Sequence, residues 1–453
     1  MSGWLLVGLL VLAIAFIVIA TAKFRIHPFL VLLVAAYGLG LLGGIGPGDT
    51  VAAIVEGFGS TLGGIGIIIA AGTIIGVVLE RSGGAQVMAE AVIGLVGRAR
   101  SAMAMSATGA VVSIPVFCDS GYVILSPLAR SLASKAESSM TTYALALATG
   151  LLVTHVFVPP TPGPIAGAQE LGADIGLVII LGIVISIPVL VATYLYARFQ
   201  GKRVYIDPDT VSIDDHAGAG TDEAEPLDGP RPSTFAAFLP ILLPIVLIAL
   251  NSVAGLDAKP FGDGLVAAAF SFLGDPNTAL VIGVFIAFFV TAQKADESIT
   301  HDAVARALSV GGPIILITGA GGALGGVLRE TPITDFLGDN LALTSLGLFL
   351  PFLLAAAIKT AQGSSTVAIV TTAAIIAPLT GSLGLESGTD LALTTLAIGA
   401  GSVMVSHAND SYFWVVTQFS GMSVAQGYEL YTVATALTGV VGMATIYVLS
   451  LFL

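Results

Sequence analysis

The sequence predicts an all-α polytopic membrane protein made of two inverted repeats, each with about five spans plus one hairpin, and with broken helices at the midplane. Three observations lead to this fold class. The composition is strongly apolar, apolar runs of near-membrane length recur along the chain, and several segments match others about 250 residues further on. Together they indicate a duplicated unit embedded in a bilayer.

The composition separates the chain from soluble proteins. Of its 453 residues, 56% are hydrophobic and 10% are charged, whereas soluble proteins carry about 25% charged residues. Mean hydropathy is +0.98. The single cysteine, Cys118, excludes an internal disulfide and a multi-cysteine metal site. We expect no metal site and no cofactor. We also expect no nucleic-acid partner, because no stretch is basic enough to bind nucleic acid.

Ten apolar runs come near the ~20 residues that cross the hydrocarbon layer. They cover residues 3–21, 29–45, 64–80, 139–160, 174–198, 235–254, 278–293, 311–328, 390–416 and 428–452. Two further regions, 101–133 and 341–380, each consist of an apolar run, a short polar break and a second apolar run. They form either re-entrant hairpins or pairs of crossings, and both alternatives return the chain to its starting side.

The distribution of Lys and Arg predicts the orientation. If residue 1 lies outside, 13 of the 16 basic residues fall in inner segments, and only Lys259, Arg329 and Lys359 do not. Cytoplasmic loops carry an excess of Lys and Arg, so we expect both termini outside.

A polar segment separates the two membrane parts. Asp207 to Asp228 is rich in Asp, Glu, Gly, Ala and Pro and has almost no aromatic residues. Such a composition buries too little apolar area to fold. We therefore expect a first membrane repeat at 1–198, a disordered cytoplasmic linker at 199–234 and a second membrane repeat at 235–453.

The two halves share three features in the same order. Gly72-x-x-x-Gly76 matches Gly322-x-x-x-Gly326, Ser126-Pro127 matches Ala377-Pro378, and His155 matches His407, at offsets of 250, 251 and 252 residues. The predicted topology runs the two Gly-x-x-x-Gly helices in opposite directions. This predicts an inverted repeat with a pseudo-two-fold axis in the membrane plane.

Polar breaks interrupt two of the predicted spans. In the first, Thr154-His155 is followed by Pro159, Pro160, Pro162 and Gly163. An α-helix cannot continue through these prolines, and Gly163 permits a close approach of backbone or substrate. In the second, Ser406-His407 is followed by Asn409-Asp410-Ser411. Paired, polar, irregular backbone inside apolar spans is typical of a secondary transporter.

The tips of the two hairpin regions favour an anionic ligand. The first tip contains Cys118-Asp119-Ser120-Gly121, and the second runs from Thr360 through Gln362, Gly363, Ser364 and Ser365 to Thr366. Unpaired N–H groups and the helix dipole at a helix N-terminus attract negative charge. Two such tips would suit a carboxylate that carries several hydroxyl groups.

Structural interpretations of these residues stay open beside the functional ones. Ser364 and Ser365 can simply cap a helix, and the proline segment can be an external loop. His155 and His407 can be hydrogen-bonded interior histidines, although histidine is also the side chain most easily used as a proton carrier.

The charged residues also have two interpretations. Asp119 and Asp410, flanked by apolar helix, each need a cation, a proton or a partner. Glu80 and Glu330 fit an interfacial or ion-paired position better than a functional one. Lys359 either attracts an anion or extends its amine to the interface.

Other classes of function lack their motifs. No Gly-x-x-x-x-Gly-Lys-Ser/Thr loop is present, which argues against ATP-driven pumping. No His-Glu-x-x-His or Gly-x-Ser-x-Gly pattern supports a membrane hydrolase.

The chain resembles the gluconate permease family, gluconate:proton symporters within a superfamily of inverted-repeat ion and anion transporters. The resemblance rests on Pro115 to Val123, Thr154 to Pro164, Gly321 to Leu328, Gln362 to Ala368, and Ser406 to Ser411 with Phe413-Trp414. It implies proton-driven uptake of gluconate or a related small hydroxylated monocarboxylate across the inner (cytoplasmic) membrane. A Na⁺-coupled carrier of a small carboxylate or D-amino acid, an anion channel and, least of all, a membrane enzyme are the alternatives.

The hypothesis assigns roles within this set. The carboxylate would be held by Gly363, Ser364, Ser365 and Thr366, with Gln362 and Ser411 also in the substrate site. Hydroxyl groups would be bound by Asp119, Ser120, Thr161 and Asn409. The candidates for carrying the proton are Asp119, His155, His407 and Asp410. The expected partners are the anionic substrate and membrane lipid, and a homo-oligomer is left open.

Overall fold

The structure, a computed structural model, describes residues 3–97, 100–211, 231–254, 261–262, 264–291, 297–331 and 346–453. All regular structure in these ranges is helical, as the sequence predicts. The helices before the central polar segment are α1 Gly3–Ala22, α2 Pro28–Gly43, α3 Pro47–Arg81, α4 Gly84–Val96, α5 Ser101–Val112, α6 Cys118–Lys135, α7 Met140–Phe157, α8 Pro162–Leu171 and α9 Ile175–Arg203. Those after it are α10 Thr234–Ala254, α11 Leu265–Leu273, α12 Pro276–Thr291, α13 Glu297–Glu330, α14 Phe349–Gln362, α15 Ser365–Ile376, α16 Gly388–Gly401, α17 Ser411–Phe419 and α18 Val424–Ser450.

Five helical segments are long and apolar enough to cross a membrane, and two bent helix pairs raise the number to seven in the described ranges. The five are Met140–Leu171, Ile175–Arg203, Thr234–Ala254, His301–Glu330 and Val424–Ser450. Other predicted spans correspond to shorter apolar helices such as α2, or to the interrupted pair α16 and α17. Helices α4, α8 and α11 were not predicted from hydropathy as separate elements.

The first predicted helix break lies at the centre of the protein. Residues 158–161 separate α7 from α8, and the apolar window of the segment Met140–Leu171 is completely buried. The external-loop interpretation of the proline segment is therefore wrong, because Pro159 to Pro164 are all buried inside the helical body.

The longest helices, α3 and α13, pack against each other in opposite directions. A Cβ on Gly326 would lie 2.7 Å from the carbonyl oxygen of Ala53, and one on Gly322 would lie 2.7 Å from that of Gly57. Further along, Gly311 lies against Thr73. Residue numbers that rise on one helix fall on the other, so the two helices that carry the matched glycine motifs are antiparallel.

The two predicted hairpin regions consist of short helices that meet at a break. Helices α5, α14 and α15 have 12, 14 and 12 residues. At 1.5 Å per residue each is about 18–21 Å long, short of the ~30 Å hydrocarbon thickness. These lengths favour the re-entrant alternative for 341–380, part of which lies outside the described residues. In 101–133 only α5 is this short, because α6 has 18 residues and is about 27 Å long.

The predicted linker begins later in the structure than in the sequence prediction. Helix α9 continues to Arg203, and Pro208 and Asp209 accept hydrogen bonds from the side chain of Arg130. The backbone N–H of Met140 donates to Ile206 at 2.9 Å. Residues 199–211 of the predicted linker 199–234 are thus packed onto the first half, so disorder is the wrong prediction for them, and 212–230 lie outside the described residues.

Candidate functional site

A cleft of about 390 Å³ lies where the interrupted helices meet. Its polar lining comes from α6, α7, α17 and the α14–α15 break, and α13 adds the apolar wall of Ile314 and Ile317. Ten of the predicted site residues line it, namely Asp119, His155, Gln362, Gly363, Ser364, Ser365, Thr366, Asn409, Asp410 and Ser411. The sequence therefore predicts the composition of the cleft well, but not its apolar wall.

Three helix N-termini point into this cleft. Helix α6 begins at Cys118, α15 at Ser365 and α17 at Ser411, and the first turn of each contributes lining residues. The N-cap of α6, Phe117, offers no side-chain hydrogen bond. Ser364 and Asp410 each satisfy one N–H group at the starts of α15 and α17. The remaining first-turn N–H groups and the positive ends of the helix dipoles favour a negatively charged ligand.

The α14–α15 break depends on Gly363. This residue has φ of 95° in the left-handed region, and its N–H donates to the carbonyl of Lys359 at 2.8 Å. Ser364 then caps α15 by accepting from the N–H of Val367. The capping interpretation of Ser364 is confirmed, whereas the hydroxyls of Ser365 and Thr366 have no hydrogen-bond partner among the described residues.

The second break, residues 402–410, is held by side chains. Thr435 accepts from the N–H of Ser406 at 3.1 Å, and Thr432 donates to its carbonyl at 2.5 Å. His407 Nε2 lies 2.8 Å from the carbonyl oxygen of Thr360, and Asn409 Nδ2 donates to the same oxygen at 3.0 Å. The break is thereby tied to the end of α14.

Backbone strain accompanies this break. Val405 has φ of 51°, a left-handed conformation that is a genuine outlier for a β-branched residue. Its neighbour Ser406 supplies the hydroxyl that donates to Asp410. Such strain persists only where surrounding contacts enforce it, and it concentrates at functional sites.

Asp119 is the carboxylate that faces the cleft without a basic partner. Oδ1 accepts from Ser411 at 3.2 Å, and Oδ2 lies 3.5 Å from the thiol of Cys118. No Lys, Arg or His in the described part of the chain lies within ion-pair distance of it. A half-buried carboxylate flanked by apolar helix needs a proton, a cation or a ligand that donates hydrogen bonds.

Asp410, in contrast, is paired with Lys359. Lys359 Nζ lies 2.7 Å from Asp410 Oδ2 and also donates to the carbonyl of Gly363. Lys359 is 1% exposed, so its amine does not extend to the interface and that interpretation is wrong. The other carboxylate oxygen of Asp410 accepts from the N–H of Tyr412 at 3.0 Å and caps α17.

His155 lines the cleft from α7 and is 7% exposed. Its Nδ1 atom is buried without a hydrogen-bond partner among the described residues. The two matched histidines thus differ, because His407 is hydrogen-bonded and does not line the cleft.

Besides His407, two predicted site residues lie outside the cleft. Ser120 hydrogen-bonds to Glu80 instead of facing the cleft. Thr161 donates to the carbonyl of Val158 at 2.8 Å and lines a separate small pocket with Pro160 and Pro162. Sequence position alone could not separate these hydroxyls from Ser411, since helix rotation decides which way each points.

An unpredicted carboxylate, Glu170, is buried between α3, α8 and α13. Its side chain is 5% exposed, lies 3.9 Å from Arg329 and accepts from Thr61 at 3.2 Å. Arg329, which the sequence places beside Glu330, is thus paired with Glu170. The sequence feature that could have indicated this buried carboxylate is a single Glu in the apolar segment after the prolines.

Comparison with known proteins identifies the family. The family profile described as GntP family permease matches residues 4–452. The chain belongs to the GntP family of permeases. It is therefore a transporter and not an enzyme, which removes the membrane-enzyme alternative.

Relatives within the GntP family cover almost the whole chain. The chain is 32% identical to a gluconate permease of Pseudomonas aeruginosa, over 100% of this chain and 99% of that one. It is 34% identical to the D-serine transporter DsdX of Escherichia coli, with 98% of both chains covered. Relatives of this family therefore include transporters for two different classes of solute.

Solved structures support the fold. The YdaH transporter of Alcanivorax borkumensis matches 94% of this chain and 99% of its own, with a TM-score of 0.63 and 16% sequence identity. At that identity the likeness shows the architecture alone. It supports the all-helical architecture. Membership of the GntP permease family, together with the apolar helices of membrane-spanning length, identifies the chain as a multi-pass membrane protein.

Proposed function

We propose that this permease is a proton-coupled symporter for a small hydroxylated monocarboxylate, with gluconate as the first candidate. The observation that carries the proposal is the convergence of three helix N-termini on a cleft lined with free hydroxyl groups. The volume of about 390 Å³ falls within the range of ~300–1,000 Å³ typical of small-molecule sites. Relatives at 31% and 32% identity are gluconate permeases.

The N-terminus of α15 is the preferred position for the substrate carboxylate. Ser365 and Thr366 place unpaired hydroxyls beside the first N–H groups of that helix. Charge-assisted hydrogen bonds from such donors are about twice as strong as neutral ones. Asp119, Asn409 and Ser411 also line the cleft, where carboxylate, amide and hydroxyl groups can bind substrate hydroxyls.

Electrostatics favours coupling to a proton. Asp119, Asp410 and Lys359, when all are charged, leave the site with a formal charge of −1. An anionic substrate would add a second uncompensated negative charge to a poorly solvated site, which is unfavourable. A proton on Asp119 removes one charge and converts the carboxylate into a hydrogen-bond donor for the substrate. His155, with a free Nδ1 in the same cleft, is the second candidate carrier.

The transport cycle in this proposal is alternating access across the inner membrane. The bundle that carries α5–α6 and α14–α15 would move against the remaining helices. The antiparallel packing of α3 and α13 supports the inverted repeat, because inverted halves place corresponding helices in opposite directions. The excess of Lys and Arg on one side supports external termini and a cytoplasmic central segment.

A small D-amino acid is the second candidate substrate. Asp119 has no basic partner in the described chain, so a substrate ammonium can pair with it while the substrate carboxylate binds at α15. The 34% identity to a D-serine transporter favours this alternative.

Uptake into proteoliposomes tests both candidates. We expect labelled gluconate to accumulate when an inward proton gradient is imposed, and a protonophore to abolish the accumulation. Gluconate uptake that ignores the gradient would refute proton coupling. Accumulation of D-serine with no uptake or competition by any sugar acid would replace the first candidate by the second, and a conductance above carrier turnover would indicate a channel.

A further inference from the structure

We propose that the Lys359 ammonium is a tethered cation that occupies a latent sodium site between the two helix breaks, so that transport does not depend on sodium. The inference deepens the proposed function and rests on it, since it names the group that decides the coupling ion. It makes Lys359 a specificity-determining residue for the ion and not a ligand of the substrate.

The position of the amine supports this assignment. Lys359 lies in the last turn of α14, and its side chain returns to the carbonyl oxygen of Gly363 and to Asp410 Oδ2. Ser406 donates to the same carboxylate oxygen from the second break. A carbonyl and a carboxylate oxygen from two unwound segments thus contact one buried positive charge, and a hydroxyl binds the same carboxylate oxygen.

These oxygens are the ligands that broken helices offer to sodium. In transporters with interrupted helices, unwound carbonyls and helix C-terminal ends coordinate Na⁺. The C-terminal end of α14 also carries the negative pole of the helix dipole, which favours a cation. Here the cation is covalently attached, and it is not exchanged during transport.

Lys359 lies behind the cleft and not in its wall. It is 1% exposed and is absent from the residues that line the cleft, whereas Asp410 and Gly363 line it. Direct attraction of the substrate carboxylate by this amine is therefore disfavoured. Its effect on the cleft passes through Asp410 and the break at Gly363.

Other ionisable groups surround the pair on every side. Asp119 and Cys118 interact electrostatically with Asp410 from α6, His155 does so from α7, and Tyr431 from α18. Apart from Lys359, His155 is the only one of these groups that becomes a cation. Removal of the lysine charge would therefore leave a site rich in negative charge and oxygen atoms.

Substitution of Lys359 tests the inference without substrate. Thermal unfolding of the purified protein is compared in sodium chloride and choline chloride for the wild type, Lys359→Ala and Lys359→Arg. We expect no sodium-specific change for the wild type and for Lys359→Arg, which retains a cation. For Lys359→Ala we expect a saturable rise in Tm with sodium, on the order of 2 °C or more.

Uptake measurements provide a second test of the inference. Wild-type uptake should be equal in sodium and choline at a fixed proton gradient. Sodium-dependent wild-type uptake or stabilisation would overturn the inference, as would a folded Lys359→Ala protein that does not respond to sodium. Recovery of Lys359→Ala only from sodium-containing buffer would support it. If that variant unfolds in both salts, Lys359→Gln is compared in the same way, with the same two outcomes.

The two tests separate this inference from the proposed function. The thermal measurement needs no substrate, so a wrong choice of substrate leaves its result unchanged. Conversely, if gluconate uptake is proton-driven but the Tm of Lys359→Ala does not respond to sodium, the proposed function is retained and the role of Lys359 is refuted.

Discussion

The two helix breaks use different chemistry to open the backbone. In the first, residues 158–161 contain Pro159 and Pro160, which have no N–H to satisfy, and the whole segment is buried. In the second, residues 402–410 contain no proline, and side chains of Thr432, Thr435 and Asn409 hold its backbone and that of α14. The second break is also exposed at Ala408 and Asn409.

This difference separates a buried break built on proline from one held by polar side chains beside the cleft. Proline ends a helix by removing donors, so the first break can be buried with few polar partners. The second break contains no proline, and side chains bind part of its backbone, as Thr435 and Thr432 do at Ser406, while its own Asp410 is paired with Lys359. We therefore expect the second break to be much more sensitive to substitution of polar side chains.

The largest effect is expected for Asp410→Ala. This substitution leaves the Lys359 ammonium buried without its partner, which costs about 3–5 kcal/mol in the free energy of unfolding. Uptake should be lost. Denaturation of the purified protein and transport in proteoliposomes measure the two effects.

The double variant Asp410→Ala/Lys359→Met is the control for this prediction. Removal of both charges should recover most of the lost stability without recovering uptake. Full stability of the single variant would contradict the importance of the ion pair.

Gly363→Ala should have the next largest effect. The left-handed φ of 95° at this position disfavours any L side chain, at about 1–2 kcal/mol, and the added Cβ would collide with the backbone of Asn409. Gly163→Ala is the matched change beside the first break, where the Cβ would meet the end of the Ile369 side chain at 2.9 Å. That flexible group can shift, so its loss in Tm should be smaller, and equal losses would contradict this contrast.

The matched histidines should separate stability from transport. His155→Gln removes a ring whose Nδ1 has no partner in the described chain. The uptake rate should therefore fall strongly, while the free energy of unfolding changes little. His407→Gln removes the contact with the carbonyl of Thr360, which is worth about 1 kcal/mol in the free energy of unfolding. It should reduce the uptake rate less than His155→Gln does. The reverse order of the two uptake rates would show that the free nitrogen is not used.

The smallest effect is expected from a pair of threonines. Thr161→Val loses a hydrogen bond to Val158 outside the cleft and should cost about 1 kcal/mol of stability with little change in KM. Thr366→Val removes a hydroxyl that lines the cleft and has no protein partner, so it should raise KM with little change in Tm. A raised KM for Thr161→Val would place that hydroxyl in the substrate path.

The site was predictable as far as its signals were local. Prolines, helix-capping hydroxyls and polar residues in apolar runs can be recognised one segment at a time, and they identified ten residues of the cleft. Ser120 and Thr161 show the limit of such signals. They have the same side-chain chemistry as Ser411 and Thr366, but Ser120 hydrogen-bonds to Glu80 of α3 and Thr161 to the carbonyl three residues before it.

By itself, the sequence determined that the chain is a helical membrane protein with two interrupted regions, because apolar length and the absence of proline N–H groups act locally. The tertiary structure alone decided which charges meet. Lys359 pairs with Asp410 and Glu170 lies beside Arg329, across 51 and 159 residues of chain. A buried charge selects its partner by distance in space, and helix packing sets that distance.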